Sequence, residues 1–233
     1  MVTRTAPARW ISRVAIIMAA VGTVVGQVHA LARGQAHPGD YTESPLFGAW
    51  ARPATVALRP LLDWSDPWTV YVTYGKVWAP AAIVFTAAAY LVYRSRQPRG
   101  AERWLWQIQL GGYALMTVSI IGDYFTPWMD QMFVVGIVAM VVIGLGGIPL
   151  GIVMLRNGFR PWITPVLLIG FLPLLFAITT VTSLGSALLP LMWGWALAVR
   201  GAARSADVVS PAPARSRGLQ ASGHSQPAHR PGA

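Results

Sequence analysis

Long apolar runs with almost no charged residue are the feature that most constrains this chain. Residues 14–26 carry no Asp, Glu, Lys or Arg, and comparable runs recur as far as residue 199. About 20 apolar residues in a helix cross the roughly 30 Å hydrocarbon layer of a bilayer. Charged residues make up only 11% of the sequence, whereas a soluble domain carries about 25%. The sequence therefore predicts an all-α, multi-pass transmembrane helical bundle.

The apolar runs predict six crossings. The last run is too long for one crossing and divides near residues 179–185, where Thr, Ser and Gly cluster. Residues 201–233 are rich in Ala, Ser, Pro, Gly and Arg, a composition that buries too little apolar surface to fold, and we expect a disordered cytoplasmic tail. A loop on the extracytoplasmic side is predicted at 32–69, either as a surface helix broken near Pro53 or as irregular chain. The predicted crossings lie at about residues 11–31, 70–93, 104–122, 132–155, 162–178 and 184–199.

Arginine placement predicts how the chain is oriented. With the N-terminus inside, the inner segments carry Arg4, Arg9, Arg13, Arg94, Arg96, Arg99, Arg103, Arg156, Arg160, Arg200, Arg204, Arg215, Arg217 and Arg230. The other side receives only Arg33, Arg52, Arg59 and Lys76. Because short cytoplasmic loops are enriched in Lys and Arg, we expect a plasma-membrane protein with both termini in the cytoplasm.

The N-terminus permits a second interpretation. Basic residues up to Arg13 precede a short apolar run, and residues 30–32 have the small-x-small form of a signal-peptidase site. Cleavage there would leave five crossings. Retention of this segment as the first crossing is favoured by a stripe of small residues at helical spacing, which suits packing against another helix. This stripe consists of Ala15, Ala19, Gly22, Gly26 and Ala30.

A layer of polar residues is predicted near the outer edge of the hydrocarbon. Counting about 1.5 Å per helical residue from the inner charges places His29, Lys76 and Asp123 at similar depths. Gln27 lies close to this layer but faces a different side of the first helix from His29. A lysine at this depth is costly without a partner, and Asp123 is the predicted partner of Lys76. The layer indicates either a binding or proton-handling site or a structural ion pair.

Glycines in the fourth predicted crossing indicate close helix packing. Gly147 and Gly151 form a GxxxG pair, and Pro149 between them removes a backbone hydrogen bond near mid-membrane. Such a segment serves either as a kinked packing surface or, in some transporters, as a broken helix that holds an ion. We favour the packing interpretation for Gly22, Gly26, Gly147, Pro149 and Gly151.

Several function classes find no support in the sequence. Cysteine is absent, which excludes disulfides and thiolate chemistry. No catalytic or cofactor fingerprint occurs in a suitable context, so we predict no catalytic residue and no cofactor. We also predict no metal site, because His29, His37, Asp40 and Glu43 lack the spacing of a known zinc site. The basic clusters lie between apolar runs, so nucleic acid is not a predicted partner.

The leading hypothesis is a non-enzymatic accessory or interaction protein of a bacterial plasma membrane. Its partners would be the lipid bilayer and, through the small-residue stripes, other membrane proteins or a second copy of the chain. Arginine outnumbers lysine, which occurs only at position 76, as is typical of GC-rich bacterial genomes. The alternative hypothesis is a small-solute or ion transporter or channel that uses a Lys76–Asp123 polar layer.

Overall fold

The computed structural model describes residues 5–209 of the 233-residue chain, with side chains for residues 9–204. Within that range the regular structure is entirely helical and contains no strand. In chain order the α-helices are α1 (Thr5–Ala36), α2 (Asp40–Glu43), α3 (Pro45–Ala57), α4 (Arg59–Leu62), α5 (Pro67–Gly75), α6 (Trp78–Arg96), α7 (Gly100–Phe125), α8 (Met129–Arg156), α9 (Ile163–Ile169), α10 (Phe171–Thr179) and α11 (Leu189–Val209). A 3₁₀ helix, Leu184–Leu188, leads into α11.

Three helical stretches of the described chain are long and apolar enough to cross a membrane. They are Arg9–Ala36, Pro67–Arg96 and Met129–Arg156. For the described residues, the prediction of a helical fold with helices able to span a membrane is confirmed. The first and third stretches correspond to α1 and α8, and each extends beyond the residues predicted from the apolar runs.

Proline and glycine divide two of the predicted crossings into shorter helices. The predicted crossing 70–93 consists of α5 and α6, with a break at Lys76 and Val77. Pro80 has no N–H to donate to the Lys76 carbonyl, and that carbonyl instead accepts from the Ala79 N–H at 3.3 Å. The predicted crossing 162–178 consists of α9 and α10, which meet at Gly170. Pro173 likewise cannot donate to the carbonyl four residues earlier.

The last helix is longer than expected. It runs to Val209 rather than ending near residue 199, so the first nine residues of the predicted disordered tail are helical. The helix continues because residues 201–209 contain good helix formers and no proline. Residues 210–233 of the predicted tail lie outside the described residues.

The predicted outer loop, 32–69, is largely helical. Helix α3 continues through Pro53 and ends at Ala57 rather than breaking at the proline. Phe47, Ala51 and Leu62 from this segment form a small apolar cluster with the end of α1 and the start of α5. The Trp50 indole N–H also donates to the Val181 carbonyl at 2.6 Å, which ties α3 to the turn after α10. Helices α2–α4 therefore form a folded cap over one end of the bundle, called here the cap end.

An aromatic core fills the bundle between its middle and the opposite end, where Arg96 and Arg200 lie; this is called here the arginine-rich end. Trp106, Tyr113 and Trp195 are fully buried and Phe85 nearly so. The Tyr113 hydroxyl accepts from the Trp195 indole at 2.9 Å and from the Gln109 amide at 2.8 Å. This core joins α6, α7 and α11, while α1 packs between α6 and α11 on one side and α8 packs between α7 and α9 on the other.

Candidate functional site

His29 of α1 is the centre of the most polar buried cluster near the cap end. Its side chain is only 3% exposed and is surrounded by three aromatic rings. Tyr71 of α5 stacks on the imidazole with ring centroids 5.0 Å apart. Trp78 of α6 and Tyr124 of α7 meet the imidazole edge-on, with centroids at 6.2 and 5.7 Å. Four helices therefore contribute one ring each to the same cluster.

Both ring nitrogens of His29 have hydrogen-bond partners. The Trp78 indole N–H lies 3.3 Å from Nδ1, and the Tyr124 hydroxyl lies 3.0 Å from Nε2. An indole N–H is a donor only, so Nδ1 must accept and Nε2 carries the proton that it donates to Tyr124. A second proton on the ring would set two donors against each other at Nδ1. The arrangement therefore holds a neutral imidazole in one tautomer.

A cavity of about 80 Å³ lies beside this cluster. His29, Tyr71, Asp123 and Tyr124 line its polar side, and apolar residues close it towards the middle of the bundle: Met116, Met140 and Leu188. One helical turn beyond Met116 along α7 lies Tyr113, which belongs to the aromatic core. The cavity therefore ends at packed side chains on the side that faces the arginine-rich end.

A wider chamber of about 280 Å³ adjoins the cavity beneath the cap. The two spaces share Arg33, Phe133, Ser183 and Leu184 in their walls. The chamber is lined mainly by polar groups, including Asp40, Glu43, Thr179 and Thr182. A polar group entering from the cap end would meet Arg33 before it reached His29.

Two charged groups define the electrostatics of this cavity. The Arg33 guanidinium Nε pairs with the Asp40 carboxylate at 2.7 Å, so its charge is already compensated. Asp123 is half-buried in the cavity wall. Among the described residues it forms no ion pair, because those pairs are Arg33–Asp40, Arg59–Asp63 and Arg96–Glu102. Asp123 is thus the acidic group in this wall that is available to a ligand.

The structure brings together only part of the predicted polar layer. His29 and Asp123 line one cavity, as the depth count suggested. Gln27 faces elsewhere and accepts from the Thr182 hydroxyl at 3.0 Å. Lys76 is exposed, and its ammonium lies 5.7 Å from the centroid of the Phe125 ring rather than within ion-pair distance of Asp123. The predicted pairing assumed a continuous helix through position 76, whereas α5 ends there.

The predicted packing glycines of α1 and α8 contact other helices of the same chain. A Cβ added at Gly26 would lie 2.8 Å from the Trp78 ring, and one at Gly22 would lie 3.3 Å from Leu189. A Cβ at Gly147 would lie 2.9 Å from the Leu168 carbonyl oxygen. The same atom at Gly151 would lie 2.6 Å from the Pro165 carbonyl oxygen. These glycines are therefore occupied by internal contacts and offer no free surface to a partner.

Pro149 does not interrupt α8, which is continuous from Met129 to Arg156. Its position between Gly147 and Gly151 places the missing backbone donor in a helix that also packs closely on α9. The structure thus assigns this segment to internal packing, and no separate break forms there to expose carbonyl groups as in a broken transporter helix.

Sequence reasoning missed the three rings around His29. Tyr71, Trp78 and Tyr124 were not among the residues that the sequence predicted for the site. A signal was present in the spacing, because Gly22, Gly26 and His29 follow one face of α1 and leave room there for one large side chain. The Trp78 ring fills that room.

Neither a metal centre nor a known relative accounts for this cluster. Within the described residues, no group of three His, Asp or Glu side chains is placed to hold a metal ion. Comparison with protein families, curated proteins and solved structures finds no match to this chain.

Proposed function

We propose that this chain is a six-crossing protein of a bacterial plasma membrane, with both termini in the cytoplasm, that acts as a non-enzymatic binding or accessory protein. In this proposal the cap end faces outwards and the arginine-rich end faces the cytoplasm. The recognition site is the cavity that His29 and Asp123 line. It receives a polar group from the outer side, either a small molecule or a side chain of a membrane partner.

Helix lengths and surface chemistry support the six crossings. Helix α7 has 26 residues, which corresponds to about 39 Å of helix. The turn between α10 and α11 contacts the cap through Val181 and Trp50. At the other end of these helices, Arg160 before α9 and Arg200 of α11 line one groove. Large apolar side chains are exposed along the bundle, among them Ile17, Val118 and Val134 at about 60%. Such side chains suit contact with lipid tails, while polar groups would be costly there.

One observation carries the binding role: the cavity that His29 and Asp123 line adjoins the polar chamber beneath the cap and ends at packed apolar side chains on its other side. A channel requires a polar route through both halves of the membrane, whereas here the aromatic core of Trp106, Tyr113 and Trp195 is buried completely. A cavity that is closed towards the arginine-rich end and has one carboxyl group available can hold a ligand without passing it on. This favours recognition over transport.

Single-cysteine labelling tests this role, because the native chain contains no cysteine. Ser183 lines both the cavity and the chamber, so Ser183→Cys reports access to the site. In sealed proteoliposomes of known orientation, a small membrane-impermeant thiol reagent should modify Ser183→Cys only from the cap side. Thr42→Cys, exposed at the cap, and Ser95→Cys, exposed at the opposite end, calibrate labelling from each side.

The binding role also predicts an occupied site in the native membrane. Ser183→Cys should react more slowly in native membranes than in the purified protein, while Thr42→Cys should react at the same rate in both. Equal rates for Ser183→Cys in the two preparations would count against an occupant. Modification of Ser183→Cys from both sides would contradict a cavity that is closed towards the arginine-rich end.

A transporter is the second candidate, and one observation favours it. Helices α9 and α10 meet at Gly170, beside the glycines of α8, and such broken helices form substrate and ion sites in transporters. The substrate route would start at Asp123 rather than at Lys76. Transport requires that the cavity open in turn to each side, so labelling of Ser183→Cys from both sides would select this candidate.

A further inference from the structure

A broad groove of about 690 Å³ lies at the arginine-rich end. It is formed by the end of α6, the connection between α8 and α9, and the later part of α11. Val92, Phe159 and Ala198 make its floor apolar and buried, and Leu197 at its edge is 39% exposed. The groove is far from the His29 cavity, and none of its lining residues belongs to that site.

Four arginines surround the apolar floor: Arg96, Arg160, Arg200 and Arg204. Arg96 is neutralised, because its guanidinium pairs with Glu102 and lies over the Phe159 ring. Arg160, Arg200 and Arg204 are exposed and form no ion pair with an acidic residue in the described part of the chain. Among the side chains that the structure describes, these three positive charges above the apolar surface have no acidic partner.

The surroundings add to this charge. A neighbouring groove of about 500 Å³ shares Arg200 and Arg204 and is also lined by Arg13 of α1. Like charges gathered in this way repel each other unless an anion lies between them. Guanidinium groups bind phosphate through paired N–H donors, and they are less strongly hydrated than ammonium groups.

We propose that this groove binds the phosphate headgroup of an anionic glycerophospholipid from the inner leaflet. The guanidinium groups of Arg160, Arg200 and Arg204 contact the phosphate, and the apolar floor receives the first carbons of an acyl chain. A free phosphate ion would satisfy the arginines but would leave the floor without a role. The exposed Trp162 indole beside the groove, 56% exposed, suits the headgroup region of a membrane. The proposal rests on the arginine-rich end facing the cytoplasm, but it does not depend on the outer cavity.

Native mass spectrometry of the full chain, delipidated in mild detergent, tests the proposal. Phosphatidylglycerol should bind and be retained, whereas phosphatidylcholine of the same acyl length should bind at least tenfold more weakly. Each basic side chain contributes about fivefold to affinity for an anionic lipid surface. Replacing all three arginines in Arg160→Gln, Arg200→Gln, Arg204→Gln should therefore weaken phosphatidylglycerol binding by about 100-fold.

A matched control removes the same charge at the same end. Arg99, Arg103 and Arg156 are exposed and do not line the groove, so their triple replacement by Gln should change the affinity by no more than about twofold if binding is local. Should the groove triple fail to fold, the single variants Arg160→Gln and Arg200→Gln should each lose about fivefold.

Three results would overturn the proposal: equal losses in the two triple variants, equal binding of the zwitterionic lipid, or no retained phosphatidylglycerol. Competition by inorganic phosphate and glycerol phosphate distinguishes a lipid headgroup from a soluble phosphate as the ligand. The proposal predicts that both compete with phosphatidylglycerol only at much higher concentration, because neither has an acyl chain. Binding of inorganic phosphate as tightly as the lipid would replace the lipid with a soluble phosphate as the ligand.

Discussion

Replacing Gly151 with Ala should destabilise the protein although alanine is the better helix former. Gly151 lies inside α8 where that helix crosses α9. An added Cβ would lie 2.6 Å from the Pro165 carbonyl oxygen and 2.8 Å from an Ile169 side-chain carbon, whereas ordinary contacts begin near 3.4 Å. The backbone carbonyl cannot rotate away as a flexible side chain would. Helices α8 and α9 must therefore separate by somewhat less than 1 Å.

The cost can be isolated with Gly111 of α7, where an added Cβ meets no atom within 4 Å. Both substitutions lie in helix interiors, so both gain the roughly 1 kcal/mol by which alanine exceeds glycine in helix propensity. The difference between the two variants then measures the crowding against α9. Overpacking of this kind costs about 1–3 kcal/mol. For a protein of this size, a difference of about 2 kcal/mol corresponds to about 4–8 °C in Tm.

Thermal unfolding of both variants in one detergent, followed by loss of helical circular dichroism, provides the comparison. Gly111→Ala should unfold at or slightly above the temperature of the unchanged protein, and Gly151→Ala several degrees below it. If Gly151→Ala unfolds at the same temperature as Gly111→Ala, the glycine is not held against α9. Gly147 and Gly151 of α8 would then be free to contact a partner, as the leading hypothesis from the sequence expects.

Three further outcomes follow from individual contacts. Burial acts to raise the pKa of the Glu102 carboxyl, but the hydrogen bond from Arg96 and the other donors around it outweigh burial and hold that pKa below its ordinary value of 4.5. The ionised Glu102 carboxylate therefore stabilises the folded protein fully above pH 4.5, and this stabilisation is lost as the pH falls through the lower pKa of the folded state. Below pH 4.5 the free energy of unfolding should therefore decline, and Glu102→Gln should remove this decline. Tyr124→Phe leaves the His29 Nε2–H without its acceptor and should cost about 1–3 kcal/mol in unfolding free energy; an unchanged unfolding midpoint would refute the buried hydrogen bond between His29 and Tyr124. Lys76→Met should change that free energy by less than about 0.5 kcal/mol, because the ammonium is exposed. A larger loss would indicate that Lys76 forms a buried ion pair.

Periodicity and charge were enough to predict the helical fold but not its interruptions. Apolar runs locate the helices because every backbone polar group in lipid must be paired within its own segment. The breaks at Lys76 and Gly170 arise from missing backbone donors at Pro80 and Pro173. Proline alone did not indicate them, since α8 continues through Pro149. The presence of a proline therefore does not by itself predict an interruption, because Pro149 and Pro173 lack the same backbone donor.

The candidate site was predictable in its depth but not in its partners. A count of helical rise placed His29 and Asp123 in one layer, because rise per residue is nearly constant. Which side chains meet within the layer depends on the rotation of each helix about its axis, which the sequence of one helix does not specify. The break before α6 turned Lys76 to the surface and let Trp78 reach His29. Prediction from separate helices therefore paired Asp123 with Lys76, which the structure places over the Phe125 ring instead.

The orientation of the chain in the membrane is the claim on which both proposals depend. Reporter fusions test this orientation most directly. The chain is truncated after Arg99 and fused either to alkaline phosphatase or to a fluorescent protein that folds only in the cytoplasm. The six-crossing arrangement predicts strong fluorescence and no phosphatase activity for the fusions at this position. Phosphatase activity without fluorescence would place the arginine-rich end outside, and neither the outer cavity nor the inner-leaflet groove would then stand.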